Sequence, residues 1–253
     1  MFSTTILGSG DRTRALTYWM RRVAAMCALS LIAVVATSIS AMADCSNPAN
    51  AIVAENCLPG NPPSDWDISG AGDSSIQGFA TDISVNAGGT VKFKIDTDAT
   101  AYTIEIYRLG YYGGNGARLI TTISPSAKLP QIQPACMADS ATNLTDCGNW
   151  AVSASWTVPS NAVSGVYIAH LVRSDTGGDS HIIFVVRNDS STSDILVQTS
   201  DATWAAYNDY GGYSLYLGPH DGLPDRAFKV SYNRPYRNRD TSVPNFFFYA
   251  EYP

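Results

Sequence analysis

Between residues 67 and 188 apolar and polar positions alternate. In "TVKFKID", Val91, Phe93 and Ile95 fall on one side while Lys92 and Lys94 fall on the other, which is the period of a strand with one buried face. "AYTIEIYRL" repeats the alternation with Tyr102, Ile104 and Ile106, and "SASWTV", "GVYIAHLV" and "SHIIFVV" continue it. "NAGG", "GGNG" and "DTGGD" sit between these runs, where glycine's access to positive φ suits tight turns. About seven strands within about 120 residues, with no long helical stretch, predict a mainly β fold: an antiparallel, immunoglobulin-like β-sandwich. A jelly roll carries similar cues.

After residue 188 the pattern changes. "DSSTS" (189–193) is a short polar linker. "DILVQTS" then gathers Ile195, Leu196 and Val197 into one apolar strand, followed by "DATWAAYNDYGG". An apolar strand running into an acid and then a Trp/Ala/Tyr segment is how an α/β unit opens. "RAFKVSYNRP" (226–235) reads as a further strand of that region. Residues 194–253 are too few to close a doubly wound sheet, and they stop on "NFFFYAEYP". Such an apolar tail predicts an element whose partners lie further on, in a chain cut short inside its last domain. The alternative is a final strand tucked into the sandwich.

The first 43 residues predict a signal peptide rather than part of the fold. Arg12, Arg14, Arg21 and Arg22 precede the apolar run "VAAMCALSLIAVVATSISAMA", which ends in an A-x-A cleavage site after Ala43. Met1 and Met20 are both candidate starts. Sec export is expected, since Arg21–Arg22 lacks the rest of a twin-arginine signal. Asp44 before Cys45 excludes a lipoprotein, and cleavage leaves no stable membrane span. The mature chain is then 44–253, with residues 44–66 a proline- and asparagine-rich lead-in to the 67–188 sandwich.

Cleavage leaves 12 basic and 21 acidic residues, a formal net charge of −9. That opposes general binding to phosphate backbones or anionic membranes, so no nucleic-acid partner is expected. Four cysteines remain, an even count that reads as disulfides in an exported protein. They permit three connectivities. Local bridges Cys45–Cys57 and Cys136–Cys147 are expected, because each closes a short polar loop; zinc is the weaker alternative without a C-x-x-C spacing.

Candidate chemistry is sparse. "GYSLY" around Ser214 lacks the second glycine of a nucleophile elbow. Only three histidines occur (His170, His181 and His220). His170 and His181 flank the "DTGGD" turn and would face each other across a hairpin, two metal ligands without a third; sandwich-surface histidines are the default. In "YRLGYYGGNGARL", Tyr107, Tyr111 and Tyr112 surround a glycine turn, with edge closure preferred over sugar stacking. The basic run Arg226, Lys229, Arg234, Arg237 and Arg239 reads as a solvated loop or as guanidinium groups on an active-site rim. Eight tyrosines crowd into residues 207–252. They are available for packing or, as phenolates, for a hard ferric ion.

Taken together, "ENCLPGNPPSDWDISGAGDSSIQGFATDISVNAGGTVKFKI", "IYRLGYYGGNGAR", "CGNWAVSASWTVPSNAVSGVYIAHLVR", "ILVQTSDATWAAYNDYGGYSLY" and "KVSYNRPY" resemble secreted bacterial proteins related to the large (beta) subunit of N,N-dimethylformamidase. The resemblance covers about residues 55–253. It implies a sandwich followed by the beginning of an α/β domain similar to class I glutamine amidotransferases. It further implies a single iron ion held by two tyrosines and a glutamate, hydrolysis of a small amide, and a small subunit or homo-oligomer as partner. On this chain Tyr207 in "AYN" and Tyr252 in "AEYP" match the tyrosine ligands, with Asp201 and Asn208 beside Tyr207 as outer groups. Glu251, next to Tyr252, is a poor stand-in for the glutamate, so the chain is expected to be an incomplete and inactive form. The competing expectation is a secreted sandwich that binds carbohydrate or protein.

Overall fold

The computed structural model describes residues 44–68, 70–219 and 225–237. The expected signal segment lies outside them, as do His220, Arg239, Glu251, Tyr252 and the aromatic run 246–249.

The alternation in the sequence becomes two packed sheets. One contains β1 (Ile76–Ala80), β3 (Thr90–Thr97) and β8 (Ala154–Thr157), in the order β1-β3-β8. The other contains β2 (Ser84–Asn86), β4 (Tyr102–Leu109), β5 (Ala117–Ile123), β9 (Gly165–Arg173) and β10 (Asp179–Arg187), in the order β2-β10-β9-β4-β5. The chain changes sheet between β1 and β2, and β2 pairs parallel with β10 while the remaining pairs are antiparallel. This is a mostly β, two-sheet sandwich with an immunoglobulin-like strand order.

The inward positions are those the period selects. Val91, Phe93 and Ile95 from one sheet meet Tyr102, Ile104, Ile106, Tyr167, Leu171 and Phe184 from the other, and all are buried. Phe184 lies at the centre, with ring centroids 5.7 Å from Phe93, 6.0 Å from Trp156 and 5.8 Å from Tyr167. A register shift between Ile106 and Tyr107 interrupts β4 against β5. Past that bulge the three remaining residues, Tyr107, Arg108 and Leu109, are all buried, because the local kink breaks strict alternation.

The lead-in is tied to the rim of the sandwich. Asn50 caps α1 (Ala51–Asn56), its side chain accepting hydrogen bonds from the Ile52 and Val53 amides. Within α1 the buried carboxylate of Glu55 accepts hydrogen bonds from Arg118 Nε at 2.8 Å and Tyr112 Oη at 2.9 Å. Arg108 in turn donates to Tyr112 Oη at 3.0 Å. Tyr112 holds φ 43°, a strained value for a non-glycine residue, and this buried polar network fixes it there. Both expected disulfides form, Cys45–Cys57 and Cys136–Cys147, each contributing about 2–3 kcal/mol through the unfolded chain. The second closes the hairpin β6 (Met137–Asp139) and β7 (Leu144–Asp146).

The expected strand at 194–200 does not form. Ile195, Leu196 and Val197 are 80%, 92% and 78% exposed and pair with no described residue. A parallel strand needs hydrogen-bonded neighbours and cover on both faces, and the described residues provide neither. Nor is there a strand in 226–235, which is held by turns and side-chain bonds instead.

Candidate functional site

The segment carrying Tyr207 begins with α3 (Asp201–Tyr207). Its register is dictated by Trp204, fully buried on the outer face of the five-stranded sheet. There it joins Trp66, Tyr107, Leu109, Ala117, Ile168 and Ile183 in a second apolar cluster. Trp66 comes from α2 (Pro63–Trp66), so the lead-in and the C-terminal segment meet on one sheet face. Three residues beyond Trp204, Tyr207 is half-buried and stacks on Tyr216 with ring centroids 4.2 Å apart.

At the other end of α3, Asp201 accepts hydrogen bonds from Thr199 Oγ1 at 2.9 Å and Tyr232 Oη at 2.8 Å. Partial burial, then the hydrogen bond and charge of Asp201, push the Tyr232 phenol up to about 12. Its un-ionised form is the favoured one, so any stabilisation it brings is intact below pH ~10 and lost as pH rises through its folded value. In Asp201→Asn, Tyr232 should ionise closer to the ordinary tyrosine value. NMR titration of ring-labelled tyrosine would show this, and an unmoved midpoint would remove Asp201 as a cause.

Asn208 is buried and its amide is committed to backbone. Nδ2 donates to Pro235 O at 2.9 Å, while Oδ1 accepts from the Tyr210 and Arg237 amides at 3.2 and 3.1 Å. Beside it lies a residue that the sequence reading placed in a solvated loop or on a rim. Arg234 is instead fully buried. It donates to the carbonyls of Tyr210 (2.8 Å), Tyr213 (3.1 Å), Ala205 (3.3 Å) and Asn208 (2.8 Å). Two of those carbonyls end α3, where unpaired acceptors and the negative end of the helix dipole suit a cation. Burial pulls the Arg234 pKa down to about 10, which leaves it charged at neutral pH. Nothing in the sequence separates Arg234 from its solvated neighbours, since its partners are main-chain oxygens that any residue supplies. Next to it, the buried hydroxyl of Tyr236 has no hydrogen-bond partner among the described residues.

The other candidates resolve into structural roles. Ser214 is buried and accepts hydrogen bonds from the Tyr216 and Leu217 amides, a turn cap rather than a nucleophile. Tyr107 and Tyr112 are buried and only Tyr111 is exposed, matching the edge-closing expectation. His170 and His181 do face each other, in register with ring centroids 5.3 Å apart. His170 is not a surface histidine, however. It is buried, with Nε2 3.1 Å from Asp179 and Nδ1 3.4 Å from Glu105, because these outward strand positions cluster on the sheet face that carries the lead-in. The Trp66 carbonyl reaches that face, where it bonds His181 Nε2 at 2.6 Å.

Among the described residues no group of three His, Cys, Asp or Glu side chains is placed to hold a metal ion. Tyr207 sits on a helix anchored by Trp204, with its ring stacked on Tyr216. Tyr252, the other expected ligand, lies outside the described residues.

Residues 103–253, more than half of the chain, match the family profile described as N,N-dimethylformamidase beta subunit-like, C-terminal. The chain belongs to this family. The dimethylformamidase-like match starts within β4 and runs through β9, β10 and α3 to residue 253, so it covers the later strands of the sandwich and the C-terminal segment but not β1 to β3. A search of curated proteins finds no match. Among solved structures, a cellulose-active LPMO in complex with copper aligns at 15% identity with a TM-score of 0.26, over 43% of this chain and 53% of that one. A mutant of Salmonella alpha-2-macroglobulin aligns at 13% identity and TM-score 0.28, over 53% of this chain and 8% of the other. The chain thus spans about half the length of the first and a small part of the second. Neither similarity is high enough to inform fold or function. No helix among the described residues is long and apolar enough to cross a membrane.

Proposed function

We propose that this protein is an exported dimethylformamidase-like chain in which Tyr207 and Tyr252 are two of the ligands of a single iron ion, with which a completed assembly would hydrolyse a small amide's C–N bond. The observation that carries the reading is the family match across the later sandwich strands and the segment bearing Tyr207. The two disulfides fit an oxidising compartment and support export. Bound iron would polarise an amide carbonyl and make hydroxide available near neutral pH. The chain's own part is positional. Trp204 and Arg234 hold the two sides of α3, the Tyr216 ring fixes the plane of Tyr207, and Asn208 locks the turn that follows. Asp201 accepts a hydrogen bond from Tyr232 at the far end of the helix. A second subunit or copy would complete the assembly that the family's name implies.

The test is spectroscopic. Purified protein loaded with ferric iron should show the visible tyrosinate-to-iron charge-transfer band, and Tyr207→Phe should remove it. A band of unchanged position and intensity in Tyr207→Phe would reject the ligand assignment. Iron that fails to bind at all would reject the metal-dependent reading of this chain. Amine release from small N-alkyl amides then reports whether the loaded protein hydrolyses them.

A further inference from the structure

The hairpin β6–β7 projects from the sandwich between β5 and β8, and it has no core of its own. It pairs over only three positions, Met137 to Asp139 against Leu144 to Asp146, and none of these six residues is buried. A two-stranded ribbon of that size is marginal in water. The Cys136–Cys147 bridge flanks its open end directly, with the two Cα atoms 4.3 Å apart.

This weak element is the surface on which the C-terminal segment rests. The Cys147 amide donates to Asn233 O at 2.6 Å, and the Phe228 amide donates to Thr142 O at 2.8 Å. Asp146 Oδ2 accepts from Ser231 Oγ at 2.6 Å and Asn233 Nδ2 at 3.4 Å, and Asn143 Nδ2 donates to Arg226 O at 3.2 Å. Tyr210 packs on the cluster of Phe79, Cys147 and Trp150. Gly211, at φ +88°, lies so near the hairpin that an added Cβ would come 2.5 Å from Thr145 Oγ1. Contacts therefore reach the segment from β7, the turn and the half-cystine itself. The other bridge, Cys45–Cys57, closes the loop that holds Glu55 against Arg118 and bears on the lead-in.

We propose that the Cys136–Cys147 hairpin is an oxidation-dependent clasp: residues 208–219 and 225–236 dock on the sandwich only while this disulfide is closed. Docking is thereby coupled to arrival in an oxidising compartment, and the coupling requires neither iron nor amide hydrolysis. Opening takes two electrons from a dithiol. Its thiolate attacks the Cys136 sulfur, the more exposed of the pair, and the S–S bond breaks with Cys147 leaving as a thiolate that takes up a proton. The dithiol's second sulfur then displaces Cys136 as a thiol, and the reagent departs as a cyclic disulfide.

Hydrogen exchange by mass spectrometry on the full chain tests this. In Cys136→Ser/Cys147→Ser, peptides covering 208–219 and 225–237 should exchange roughly tenfold faster or more, as expected for a segment released as a unit, while β9 and β10 keep their protection. Cys45→Ser/Cys57→Ser should leave 208–237 as protected as in the wild type. Unchanged protection of 208–237 in the first variant would overturn the proposal, and so would equal loss in the second. If the first variant loses the sandwich as well, Asp146→Ala with the bridge intact decides. Faster exchange confined to 225–237 supports the clasp, and an unchanged profile overturns it.

Discussion

Replacing Arg234 with alanine is expected to release the C-terminal segment at a cost of about 3–5 kcal/mol, from orphaned buried acceptors together with lost packing. Two terms add. The guanidinium satisfies four carbonyls at 2.8 to 3.3 Å, and alanine leaves Ala205, Asn208, Tyr210 and Tyr213 with acceptors facing an apolar hole. A bond to a charged donor contributes more than a neutral one, about 1.5–3 kcal/mol. The burial that depresses the Arg234 pKa opposes this, so the net falls well short of four such bonds. The hole itself adds a packing loss, because the side chain is fully enclosed. Arg234→Lys keeps the charge but offers one compact ammonium where a planar fork spans four oxygens, and should recover less than half of the loss. The readout is amide exchange at Leu215 and Ala227, whose N–H groups bond within the segment, with β9 and β10 as an internal reference. A change of less than about 1 kcal/mol would mean that water replaces the guanidinium without penalty.

Trp204→Ala should have an effect of similar size, about 3–5 kcal/mol, by cavity formation. Trp204 is fully buried between the sheet face and Trp66, so the cavity is walled by Ile168 and Ile183 from strands that cannot collapse into it without disturbing the main core. The sandwich's own cluster around Phe184 uses the opposite side chains of those strands and stays packed. Urea unfolding should therefore lose two-state character, with a low first transition reporting α3 and a second close to that of the wild type. Trp204→Phe should restore most of the loss. A single transition shifted as a whole would show instead that α3 and the sandwich unfold together. If Tyr207 holds iron, Trp204→Ala should also weaken its band by loosening α3.

The legibility of this chain divides along the range of the interactions involved. Strands β3, β4, β9 and β10 were readable because a period of two is a local property, set by pleat geometry and by one buried face. The disulfides were readable because each closes a loop of only 11 or 12 residues. The strand expected at Ile195–Val197 was misread for the complementary reason. An apolar tripeptide announces a wish for cover, but whether it becomes a strand depends on a neighbour elsewhere in the chain. Arg234 was misread because burial of a charge is decided by converging carbonyls, and carbonyls leave no trace in residue identity.

By itself the sequence determined the mainly β character, the inward positions of the sandwich, the two local bridges and the family to which the chain is similar. Periodicity, cysteine spacing and motif content are all written in neighbouring residues. Only the tertiary structure decided that Trp204 seats the Tyr207 helix on the outer sheet face, that His170 is buried between two carboxylates, and that a disulfide hairpin carries the C-terminal segment. Each of these joins residues tens of positions apart, from Cys147 and Asn233 to Trp66 and Trp204. Which distant groups meet is set by how the two sheets pack and where their loops emerge, and no local pattern encodes that.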